Sequence, residues 1–221
     1  MDQAALWNRD PTSSLHGMIQ ADNVGVIGHS LGGFSSLLVG GMPFICDYEL
    51  APEQCDIEHM RIADYDPRCT KVARELEDPF SLKDARVKAI LPPGPPIFHK
   101  DIARNAAELK TPLMIIAGDS KRFEASFPPM WAVYENARGP KHMVLIKQTD
   151  HFVIIDFILA FRSARYLFLP WFRAHFTEKT QAYKDYSVSF FDLYLKGSDR
   201  GAAVLHVPNQ PFVKQVWHGE V

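Results

Sequence analysis

Residues 24–33 read Val24-Gly25-Val26-Ile27-Gly28-His29-Ser30-Leu31-Gly32-Gly33, and this stretch decides the fold. Val24 to Ile27 is short, rich in β-branched residues and ended by glycine, which predicts a strand buried on both faces. From Leu31 the residues LGGFSSLLVGG are small and apolar, which predicts a helix packed closely against a sheet. Between them Gly28-His29-Ser30-Leu31-Gly32 fits G-x-S-x-G. That pattern needs its glycines, because a turn this tight from strand to helix leaves little room for side chains. The same turn strains the serine and lifts its hydroxyl above the sheet. It also leaves the backbone N–H of Leu31 free to receive a developing oxyanion, aided by the partial positive charge at the helix start. The five residues alone are a weak signal; the strand before them and the small-residue helix after them give the signal its meaning.

Working outward, the same alternation recurs. VKAIL (87–91) reads as a second strand, ended by the proline-rich PPGPP, and residues 103–109 as a helix. LMIIA (113–117) reads as a third strand, ended by Gly118-Asp119, and residues 130–137 as a helix. HMVLI (142–146) reads as a fourth strand, running into Gln148-Thr149-Asp150-His151, with a further helix over 183–195. Apolar strands alternating with helical segments predict an α/β domain with a mainly parallel sheet flanked by helices, spanning 1–221 as one unit. An irregular insert at about 42–83 interrupts it, and the tail beyond Gly201 carries no clear assignment. In parallel sheets chemistry gathers at the carboxyl ends of the strands, and three of the four strands end near Ser30, Asp119 and His151.

A serine hydroxyl is a poor nucleophile at neutral pH and needs a base held by a third group. Of nine histidines, His29 adjoins the serine inside the turn, and its ring is expected to point away. His16, His206 and His218 lie in poorly patterned segments, His99 in a loop, and His59 and His175 in charged stretches. His142 opens a strand and reads as a surface or core residue. His151 directly follows the fourth strand, at the edge where Ser30 emerges, and is the candidate base. Asp119 follows the third strand and completes the order Ser, Asp, His. Glu124 and Asp101 remain alternative acids, whereas Asp150 adjoins His151 too closely in an extended loop to face it.

Composition excludes several classes. A chain of 221 residues with net charge -2 shows no nucleic-acid surface or polybasic anchor. The N-terminal residues MDQAALWNRDPTSS lack the basic start and apolar core of a secretory signal, which leaves the compartment open. Asp156, Arg162, Arg165 and Pro170 interrupt the apolar stretch 152–172, so it is not expected to span a membrane; it reads as a core helix pair, with a membrane-surface helix as the alternative because arginines and large aromatics alternate. Cys46, Cys55 and Cys69 form no C-x-x-C pair and read as free thiols or one local disulfide.

Together these residues resemble the α/β-hydrolase superfamily, and within it the predicted dienelactone-hydrolase and platelet-activating-factor-acetylhydrolase-like esterases. The matching pieces are VGVIGHSLGG, DARVKAILPPGPP, TPLMIIAGDS, the TDHF loop and FFDLYLKG, over about Leu15 to Lys196. The resemblance implies an α/β-hydrolase fold and a serine hydrolase of small-molecule carboxylic esters. Ser30 would be acylated, and His151 would activate the water that releases the acyl group. No metal or organic cofactor is implied. Two departures stand out. The family often carries its acid in G-x-x-D, where this chain has Lys121, so the acid is Asp119, Glu124 or a residue after the second strand. Family members also place several strands before the nucleophile strand, whereas about twenty residues precede Val24 here. The chain thus resembles a hydrolase reduced at its N-terminal side, whose first strand would be an open apolar edge favouring a homo-oligomer. The alternative function is a catalytically silent member of the fold used for binding or assembly.

Overall fold

The structure is a computed structural model that describes residues 1–43, 82–96, 105–119, 127–147, 149, 170–206 (side chains from 177) and 212–219. Within these residues lie five strands: β1 (Val24–Ile27), β2 (Val87–Leu91), β3 (Leu113–Gly118), β4 (Lys141–Ile146) and β5 (Val213–Gly219). The helices are α1 (Asp2–Arg9), α2 (Leu31–Gly40), α3 (Phe127–Asn136), α4 (Pro170–Lys196) and α5 (Asp199–Leu205). The strands form one sheet in the order β1-β2-β3-β4-β5. β1 to β4 are parallel and β5 runs antiparallel to β4, so the fold is an α/β sheet of mostly parallel character.

Spatial order equals chain order across the parallel strands. Right-handed crossovers that all step in one direction put their helices on one face of the sheet. Accordingly, Phe34 and Leu37 of α2 and Met130 and Val133 of α3 share a core with Ile90, Leu113, Ile115 and Met143. The opposite face is covered by α4 and α5, where Ala182, Tyr186, Phe190 and Leu205 pack on Leu91, Met114, Ile116, Val144 and Ile146. Consecutive β3 residues enter opposite cores, as the pleat requires. With both faces covered, all of β3 and all but the first residue of β4 are buried, which explains the unbroken apolar runs LMIIA and HMVLI.

β1 differs from expectation. Its residues are half-buried and Ile27 is 50% exposed, because β1 ends the sheet and has β2 as its one strand neighbour among the described residues. Its inner side meets α4, where Phe191 lies against Gly25 and the Asn23 side-chain amide donates to the Leu195 carbonyl at 2.8 Å. A branched residue at position 25 would displace the Phe191 ring.

The tail also differs. Where the sequence carries no clear assignment, α5 occupies 199–205, with Ser198 capping the Gly201 N–H, and β5 forms the far edge of the sheet. β5 escaped notice because its exposed Lys214 and Gln215 interrupt the apolar pattern, as suits an edge strand with one neighbour. The expected helix over 103–109 is, within the described residues, a single 3-10 turn at Ala106–Glu108. The helix expected over 183–195 is longer, at 27 residues. The insert with Cys46, Cys55 and Cys69 and most of the stretch 152–172 lie outside the described residues. Among the described residues no helix is long and apolar enough to cross a membrane.

Candidate active site

Ser30 follows β1 and caps the start of α2 with φ 56 and ψ -122. Among the described residues it is the one non-glycine residue with positive φ. Such backbone costs about 1–3 kcal/mol and persists only where the surroundings enforce it. Here they do. The Gly28 N–H donates to the Leu91 carbonyl at 3.3 Å and the Ser30 N–H to the Pro93 carbonyl at 3.2 Å, which tie the turn to the end of β2. On the helix side, the Gly33 and Phe34 N–H groups both donate to the Ser30 carbonyl, at 2.7 and 3.1 Å. The Gly32 N–H donates to the His29 carbonyl at 3.0 Å, and among the described residues no backbone hydrogen bond uses the N–H of Leu31. That N–H belongs to the first helical residue, which no carbonyl of the helix can reach.

The steric demand at the turn falls partly where the sequence pattern puts it. A side chain on Gly28 would collide with the Gly32 carbonyl and stand 2.8 Å from the Ser36 hydroxyl. Gly32, in contrast, faces open space, so its place in the pattern is not a matter of room. The second close approach is at Gly33, whose missing Cβ would stand 2.8 Å from the Gly28 carbonyl and 3.2 and 3.3 Å from the Pro95 and Pro92 rings. The PPGPP loop after β2 is therefore a packing surface for the start of α2. Gly94 turns it with φ 51 and donates its N–H to the Ile116 carbonyl of β3 at 2.9 Å.

Asp119 follows β3 at the same edge of the sheet. Its N–H donates to the Ile146 carbonyl at 3.1 Å, and its carboxylate, 19% exposed, pairs with the Lys214 ammonium at 3.3 Å. Lys214 reaches this edge because β5 runs antiparallel, so its first residues stand beside the last residues of β4. Sequence reading missed Lys214, since nothing in KQVWHG announces the strand direction. It also missed Gly118 and Thr149. The Thr149 backbone crosses the end of β3 so closely that any Cβ on Gly118 would strike its carbonyl. Thr149 itself is buried, with its hydroxyl donating to the Lys147 carbonyl at 3.0 Å. The Gly118-Asp119 pair after an apolar run was the available signal for this crossing.

The parallel strands thus bring the turn of Ser30 with the Leu31 N–H, Asp119, and Thr149 to one edge. His151 lies two residues beyond Thr149, outside the described residues, as do Glu124, Asp101 and Asp150. His29 sits inside the turn as expected from its position. Among the described residues no group of three or more His, Cys, Asp or Glu side chains could hold a metal ion. No protein-family model matches the chain, and no curated protein matches it.

Proposed function

We propose that the chain is a serine hydrolase of the α/β-hydrolase fold that cleaves small-molecule carboxylic esters. The backbone of Ser30 carries the reading: a strained serine, enforced from both sides, at the carboxyl end of a parallel strand and the start of a helix. In this reading the Ser30 hydroxyl attacks the ester carbonyl while His151 takes its proton. The Leu31 N–H stabilises the oxyanion, and the protonated His151 gives its proton to the departing alcohol, which leaves the acyl group on Ser30. His151 then removes a proton from water, which releases the acid and restores Ser30. Asp119 orients His151, and the close approach of Thr149 to Gly118, the residue before Asp119, supports this reading.

The test is covalent labelling by a fluorophosphonate probe, with Ser30→Ala and His151→Ala as controls. Labelling of the wild-type chain is expected, with loss in both variants. A folded wild-type chain that does not label overturns the reading. Single replacements of Asp119, Glu124 and Asp101 by the corresponding amides then identify the acid by the largest loss.

One observation favours a second reading. The Asp119 carboxylate already has an ion-pair partner in Lys214, as a purely structural carboxylate would. In that reading the chain is a catalytically silent binding or assembly protein, and Asp119→Asn leaves probe labelling absent in both forms.

A further inference from the structure

Away from the Ser30 edge, three histidines from three different elements meet at the seam between β4 and β5. His142 of β4 is 5% exposed. Its Nδ1 lies 2.8 Å from Nδ1 of His218 on β5, and its Nε2 lies 2.8 Å from the Tyr194 hydroxyl on α4. The His206 ring, at the end of α5, lies tilted against His218 with centroids 4.5 Å apart. Phe190 of α4 closes over the His142 ring, edge-on at 6.0 Å.

This arrangement is satisfied only while it holds few protons. Two ring nitrogens 2.8 Å apart share one hydrogen: one donates and the other must be an unprotonated acceptor. With neutral rings the bonds run in sequence through Tyr194, His142 and His218, in either direction. A first added proton can be carried by the half-buried His218, which then donates to His142; a second must charge the His142 ring beneath Phe190 and sets N–H against N–H. Burial first, then the proximity of His218 and His206, pushes the His142 pKa down to about 3 from its usual 6.5. Four other charged groups of these elements have partners away from the cluster. Lys141 donates on the opposite face to the Glu135 and Ala137 carbonyls, Asp192 and Lys196 of α4 pair with each other, and Lys214 of β5 pairs with Asp119.

We propose that this cluster is an acid-opened latch: protonation of His142, wedged against His218, detaches β5 from β4 and draws Lys214 away from Asp119. Among the described residues β5 is an edge strand with β4 as its one strand neighbour, so its release breaks one ladder together with the packing of Val213 and Val216 on one face and of Trp217 against Trp131 and Phe127 on the other. The latch is independent of any hydrolase activity. Where the Ser30 edge is active, it makes the surroundings of Asp119 depend on pH. In the open form His142 loses the neighbouring His218 and gains solvent on the side that β5 covered, which raises its proton affinity toward the ordinary value. Opening is therefore favoured below about pH 6.5 and grows by up to about tenfold per pH unit until about pH 3.

Hydrogen exchange resolved by peptide, from pH 7.5 to 4.5 and corrected for intrinsic rates, tests this on the full chain. β5 amides should lose protection by up to about tenfold per unit below pH 6.5 while β3 amides keep theirs. Loss of β3 and β5 together, or full β5 protection at pH 4.5, overturns the latch. His206→Asn, at an exposed position, should move the onset of β5 exchange to lower pH; an unchanged onset removes His206 from the cluster. A His142→Gln, His218→Gln pair should flatten the β5 profile. Should that pair fail to fold, the wild-type profile and His206→Asn decide.

Discussion

The carbonyl of Thr149 occupies the space into which a side chain on Gly118 would project. The end of β3 and the segment after β4 are thereby locked together at the edge that carries Asp119.

Gly118→Ala forces one of these backbones to retreat. Overpacking of this kind costs about 1–3 kcal/mol, and urea unfolding should show that loss. If the Ser30 edge is catalytic, the displaced segment also carries His151 out of place, and probe labelling should slow at least tenfold. Wild-type stability together with wild-type labelling would show that Thr149 does not fix the segment.

Two glycines of one motif should respond in opposite directions. Gly28→Ala meets backbone, which cannot swing aside, and is expected to destabilise by about 1–3 kcal/mol or more. Gly32→Ala faces open space in the first turn of α2 and should be neutral or stabilising by up to about 1 kcal/mol. Thermal melts of the two variants separate a demand for room from a mere match to the pattern.

Ser30 holds a backbone conformation that glycine adopts freely. Ser30→Gly should raise stability by about 1 kcal/mol or more while abolishing labelling, whereas Ser30→Ala abolishes labelling without that gain. Equal stability of the two variants would mean the turn stores no strain.

Acid should weaken the fold in two windows. His142 is neutral in the fold, with its pKa lowered to about 3. Its contribution is complete above pH 6.5 and falls as pH drops toward 3, at up to about 1.4 kcal/mol per unit until β5 opens. Asp84 is held at about 2 by the Arg86 guanidinium, 2.6 Å away. Its contribution is present above pH 3.8 and disappears toward pH 2. Urea melts at pH 8, 6, 5 and 4 should therefore be flat above 6.5 and fall below it. A decline confined to pH below 4 would acquit His142.

The sequence was most legible where burial is complete. β3 and β4 lie inside a sheet covered on both faces, so solvent exclusion demands an apolar residue at every position and the run itself marks the strand. The glycine-serine turn was legible for a related reason: residues 24–33 contain the strand end, the turn and the helix start together, although the bonds that enforce the turn come from Leu91 and Pro93 far along the chain. β5 was illegible because an edge strand with one neighbour tolerates Lys214 and Gln215. β1 was read as buried because Val24 to Ile27 shows composition and not the number of neighbours.

By itself the sequence determined the alternating units, the position of the strained serine and the residues that end the central strands. Tertiary structure alone decided which groups meet. The antiparallel course of β5 brought Lys214 to Asp119 and His218 to His142, and α5 brought His206 beside them. Gly118 became a contact for Thr149 only once β3 and β4 were paired in register. Contacts of this kind depend on strand direction and register, which the whole sheet sets through backbone hydrogen bonds common to every residue, so no short stretch of side chains can encode them.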